Sequence, residues 1–137
     1  MRTQIVQSTQ KSKLLRQALR GNGIFSAVSG FILVLAAKPL ATFMGLAWPL
    51  ALTITGLILL PYAALLIWAT SQPQVDHRLA KTAVVLDAGW VIGSILLLLT
   101  DWLNLSVAGN WTVALLAEAV LTFAILQAVG LHRARTS

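Results

Sequence analysis

Four long apolar runs constrain this chain more than any other feature. They cover residues 19–37, 47–69, 81–99 and 111–131. Each is close to the roughly 20 apolar residues that an α-helix needs to cross the hydrocarbon of a bilayer. A 137-residue globule has too little interior to hide four such runs from water. The chain is 58% hydrophobic and 10% charged, whereas soluble domains carry about 25% charged residues. The expected fold is therefore all-α, a single four-helix transmembrane bundle over residues 19–131. A basic segment, 1–18, precedes it and a short tail, 132–137, follows. The connections are short and carry Pro39, Pro73, Asn104, Gly109 and Asn110, the residue types that punctuate turns. The first run exceeds the roughly 7–15 residues of a signal-peptide core and no A-x-A-like site follows it, so it reads as a retained span.

Orientation follows from the cations, because Lys and Arg in short loops stay on the cytoplasmic side. Arg2, Lys11, Lys13, Arg16 and Arg20 precede the first span. Arg78 and Lys81 lie between the second and third, and Arg133 and Arg135 follow the fourth. Only Lys38 falls on the other side, so nine of the ten cations are together. Both termini are expected in the cytoplasm of a bacterium, with the chain in the inner membrane. Trp48, Trp102 and Trp111 mark the far interface and Trp68 the near one, while Trp90 lies within the third span and serves packing or a site. The net charge of +6 is then explained by topology and by attraction to anionic headgroups, not by nucleic acid. Leu14, Leu15, Ala18 and Leu19 are placed to extend the first helix into the interface, with Lys11, Lys13 and Arg16 reaching headgroups.

The chain has no cysteine, which excludes disulfides, thiol redox chemistry and cysteine–metal sites. His77 and His132 fall at the cytoplasmic ends of spans, not where an intramembrane haem is ligated. No Gly-rich phosphate loop, HExxH, nucleophile elbow or paired metal ligands is present. No cofactor, metal or catalytic residue is expected.

The unusual residues are polar ones inside apolar spans. Asp87 stands in "VVLDAGWVIGSILLLL", and a carboxylate in lipid is costly unless something answers it. At 1.5 Å per residue it lies about 9 Å from Lys81. Arg20 and Asn22 reach that depth from the first span, and Arg16 can snorkel toward it. Alternatively, Asp87 keeps its proton and donates a hydrogen bond. Glu118 lies near mid-membrane in the fourth span, level with Ser94, which shares the Asp87 face. Asn22, Ser26, Ser29 and Gly30 form one small, polar stripe. The expected constellation is a polar seam of Arg20, Asn22, Ser26, Ser29, Asp87, Ser94 and Glu118. It is either a structural network or a proton or substrate path. Tyr62 and Thr55 are candidates for its middle layer. Gln127, at the depth of Asp87 but turned away from Glu118, belongs to another contact. Gly23, Ala27 and Gly30 make a small packing face, as do Ala117, Ala124 and Ala128. Gly89 and Gly93 form a GxxxG on the side of the third helix away from Asp87, suited to a neighbouring helix or a dimer. Pro61 should kink the second span.

The runs "LRQALRGNGIFSAVSG", "GLILLPYAALLIWA" and "VVLDAGWVIGSILLLL" resemble a widespread set of small bacterial inner-membrane proteins with four helices, with the general look of DoxX-like membrane proteins. The resemblance implies the four-helix layout and a bacterial source, and no activity or site residue. The function expected is that of a non-enzymatic membrane protein, either an accessory subunit of a larger complex or a self-associating homo-oligomer. The alternatives are a small proton-coupled transporter or channel using Asp87 and Glu118, and an intramembrane enzyme acting on a quinone or lipid.

Overall fold

The computed structural model describes residues 2–135 and the side-chain surroundings of residues 13–134. The side chains of Arg2, Lys11 and Arg135, counted above among the cytoplasmic cations, lie outside the described residues, as do residues 136–137 of the tail. The fold is all-α. Among the described residues five helices follow in order: α1 (Arg2–Leu35), α2 (Ala37–Met44), α3 (Pro49–Thr70), α4 (His77–Thr100) and α5 (Val107–Arg135). Four of them, α1 and α3–α5, are long and apolar enough to cross a membrane.

Local chemistry sets the helix limits. Pro49 opens α3 at its first turn, where a missing N–H costs nothing. The Asp76 carboxylate accepts from Arg78 N at 2.9 Å and caps α4. Asp101 ends α4 in the left-handed region at φ 51°, which a short polar side chain tolerates. The segment between the first two spans is helical, contrary to its reading as a plain loop. Its proline, Pro39, sits in the first turn of α2, where it breaks no bond. Ala37, Ala41 and Met44 bury one side of α2 with Leu52.

The helices pack in the order α3–α1–α5–α4, while consecutive α3 and α4 scarcely meet. The α1–α3 seam is close because it is made of small residues. A Cβ on Gly56 would lie 2.7 Å from the Gly30 carbonyl oxygen, and one on Gly23 would press on Ile67 and Leu66. Phe25 and Phe123 join α1 to α5 with ring centroids 5.7 Å apart.

Burial is inverted relative to a soluble protein. Isoleucine, leucine and tryptophan cover the outside: Ile58, Leu99, Trp48 and Trp102 are all exposed. Inside are alanines and polar side chains, among them Asn22, Ser26, Asp87, Ser94 and Gln127. Soluble monomers do not expose continuous apolar surface on this scale. Small and polar interiors are what hold helices together where lipid supplies no hydrophobic drive. The chain is a multi-pass membrane protein by this architecture.

At the end of the bundle that holds the described ends of the chain, Leu15, Leu19, Leu66, Val75, Ala80, Ala83, Leu131 and Ala134 form an apolar plug. Leu15 and Leu19 are fully buried in it rather than lying along an interface, because their spacing turns both toward α3 and α5. Arg16 likewise serves α3. Its guanidinium donates to the carbonyls of Thr70 at 2.6 Å, Gln72 at 2.7 Å and Pro73 at 3.0 Å, which a helix C-terminus leaves unpaired.

Candidate functional site

Just inside the plug, each of the four spanning helices turns one polar side chain to the same point: Asn22 from α1, Tyr62 from α3, Asp87 from α4 and Gln127 from α5. Asp87 Oδ2 accepts from Asn22 Nδ2 at 2.7 Å and from Gln127 Nε2 at 2.8 Å. Asp87 Oδ1 accepts from the Tyr62 hydroxyl at 3.0 Å. Asn22 Nδ2 gives its second hydrogen to Gln127 Oε1 at 2.8 Å. Asn22 Oδ1 takes the Ser26 hydroxyl at 3.2 Å. Both amide nitrogens face the carboxylate and donate to it, which sets the orientation of both amides. The remaining bonds then follow without conflict.

The cluster is dry. Asn22 is 2% exposed, Asp87 5% and Gln127 0%. Among the described residues no buried side-chain nitrogen or oxygen lacks a partner. The three groups that bond the Asp87 carboxylate are neutral, so it is solvated as a polar cage would solvate it rather than by a counter-charge. Tyr62 has a second consequence. It spans the loosely packed side of the bundle and ties α3 to α4, which otherwise have little contact.

The members of the expected seam fall in different places. Asn22, Ser26 and Asp87 come together. Arg20 does not meet Asp87. It is exposed and reaches the Thr70 carbonyl at 3.4 Å, because its position on α1 points it past the plug, two residues short of the inner face that Asn22 occupies. Ser94 is buried but closes on its own helix, donating to the Trp90 carbonyl at 2.8 Å. Ser29 is half-buried and outside the network. Glu118 is exposed on the outer surface of α5. Gln127 lies nine residues on, half a helical turn around, and so faces inward where Glu118 faces out. Taking Glu118 as the mark of the inner face is what assigns Gln127 elsewhere. Tyr62 belongs to the Asp87 layer, not to a middle layer with Thr55, whose hydroxyl bonds the Ala51 carbonyl. Gly23 and Gly30 pack on α3 with Ala27 half-buried beside them, and Ala128 is exposed. Gly89 and Gly93 face open space: beyond its own helix backbone, a Cβ on either would meet no atom within 4 Å. Trp90 is on the outer side, 38% exposed.

A surface depression of about 470 Å³ lies at the α3–α4 turn, lined by Trp68, Gln72, Pro73, Asp76 and Leu79. It is outside the polar cluster. No family model, curated protein or solved structure matches the chain.

Proposed function

We propose that this chain is a small, non-enzymatic protein of the bacterial inner membrane with both termini in the cytoplasm, acting as an accessory subunit or a self-associating bundle. The observation that carries this reading is the closed hydrogen-bond cluster at Asp87. One side chain from each spanning helix enters it, and its donors and acceptors satisfy one another. Such a cluster works as a latch, holding four helices in one arrangement where apolar packing alone specifies little. The plug of Leu15, Leu19, Leu66 and their neighbours separates it from the water nearest to it. Orientation is supported by the sequence: nine of ten cations flank the same end of the bundle. The resemblance to DoxX-like proteins agrees with the layout and adds no activity.

One observation favours a second reading, proton-coupled transport. Asp87 is bonded by no cation, and a lone intramembrane acid is a common proton carrier. Against it, Asp87 faces inward and Glu118 outward, so the two acids form no relay through the bundle. The two readings separate in proteoliposomes with an imposed proton gradient. The latch reading expects no flux above empty vesicles, and none for Asp87→Asn. Flux in the wild type that Asp87→Asn abolishes would overturn it. For the accessory role, affinity capture in gentle detergent followed by mass spectrometry should recover a stoichiometric membrane partner or further copies of the chain.

A further inference from the structure

The latch leaves one face of α5 without a role. Trp111, Leu115, Glu118, Thr122, Ile125 and Val129 are all exposed and follow one another in alternating steps of four and three. The spacing mirrors that of the buried face, Ala117, Val120, Ala124, Gln127 and Leu131, so the stripe runs along the whole outer side of the helix. Glu118 sits in the middle of the stripe, about 16 Å along α5 from Val107, in a hydrocarbon layer about 30 Å thick. Its carboxyl group has no partner among the described residues; the Thr122 hydroxyl bonds the Glu118 backbone carbonyl instead. Ionisable side chains in spans almost always face a bundle interior or a watery cavity, and Glu118 faces neither within one copy. Lipid tails offer it no hydrogen bond.

We propose that a second copy of this chain covers this face, α5 against α5, about a twofold axis along the membrane normal. The proposal rests on the self-associating form of the reading above and names its interface. The occupant must bring a polar group to the same depth on a helix of the same pitch. Two copies inserted in the same direction do so without further requirement, because an interface about a twofold axis sets each residue near its own counterpart. Glu118 then meets Glu118. A carboxyl pair that shares a proton satisfies itself, the O–H of one donating to an oxygen of the other. Among the described residues no other exposed Ser, Thr, Asn, Gln or charged side chain lies at mid-span outside the Glu118–Thr122 pair. A single polar site within an apolar seam also fixes the register of the two helices. The open Gly89–Gly93 face has no comparable group to name its occupant.

The native chain contains no cysteine, so single-cysteine variants report contact without background. Full-length protein in native membranes is oxidised and the disulfide-linked dimer measured. Leu115→Cys, Thr122→Cys and Ile125→Cys should give at least about tenfold more dimer than Leu116→Cys and Val120→Cys, which lie on the other side of α5. In lipid bilayers Glu118→Leu should weaken the dimer about tenfold, the worth of one intramembrane hydrogen-bonded contact, while Glu118→Gln preserves it. The Glu118 carboxyl group has no partner among the described residues of its own copy, so the helical content of Glu118→Leu should match the wild type. No dimer at any position, cross-links centred on Gly89→Cys and Gly93→Cys, or linkage to a different protein would each overturn the proposal. A monomer that conducts no protons refutes the interface and leaves the latch. A dimer that conducts protons, with conduction lost in Asp87→Asn, refutes the latch and leaves the interface.

Discussion

Asp87 carries the heaviest local burden in the chain. Its two oxygens take three donors from three other helices. Asp87→Leu removes both carboxylate acceptors and strands those donors in a buried site. At on the order of 1 kcal/mol per intramembrane hydrogen bond, it should destabilise the bundle by roughly 2–3 kcal/mol, read as a lower unfolding midpoint in detergent titrations. Asp87→Asn keeps one oxygen, and a flipped Gln127 amide can meet its new N–H, so the loss should stay near 1 kcal/mol. Sequence makes part of this site legible. The fixed rise per residue brings Asn22 and Gln127 to the depth of Asp87. Rotation about the helix axis is not fixed in the same way. In lipid both sides of α5 are apolar, so periodicity does not separate inner from outer, and two polar residues half a turn apart compete to mark the core. Burial of Ala117, Val120 and Ala124 decides for Gln127.

Between elements, closeness is set by what lacks a side chain. Gly56→Ala on α3 would drive a methyl against the Gly30 carbonyl oxygen, a backbone atom that has little freedom to move. It should cost about 1–3 kcal/mol, measured by the same unfolding titration. Gly89→Ala on the open face of α4 should be neutral or stabilising by up to about 1 kcal/mol, the gain in helix propensity. Equal losses in the two variants would mean that the seams are misassigned. Ser106 joins two helix ends at once. Its N–H donates to the Met44 carbonyl at 2.8 Å and its hydroxyl to the Phe43 carbonyl at 3.0 Å, while its Oγ accepts from Gly109 N at 3.1 Å. Ser106→Ala removes an N-cap of α5 and a tie to α2, and should cost about 0.5–2 kcal/mol. Nothing local in "KPLATFMGL" announces α2, because its helicity depends on burying Ala37, Ala41 and Met44 against Leu52 and neighbours, and that contact is tertiary.

For the molecule as a whole, the sequence gives the solvent most directly. Apolar runs of spanning length are visible without any contact map, and the four helices of spanning length coincide broadly with them. What length and hydropathy leave open is the order around the bundle, with α1 between α3 and α5 and little contact between α3 and α4. Reporter fusions at either end of the chain should report the cytoplasm, and a periplasmic signal from the tail would reverse the orientation proposed here. Four helices meet at one carboxylate, and among the described residues the Tyr62–Asp87 bond is the hydrogen bond that joins α3 to α4 across the loose side. A double-mutant cycle of Tyr62→Phe and Asp87→Leu, followed by equilibrium unfolding in detergent, tests it most directly. Tyr62→Phe should cost about 1 kcal/mol in the wild type and nothing, or less than nothing, once Asp87 is leucine. An undiminished cost of Tyr62→Phe in the Asp87→Leu background would contradict it.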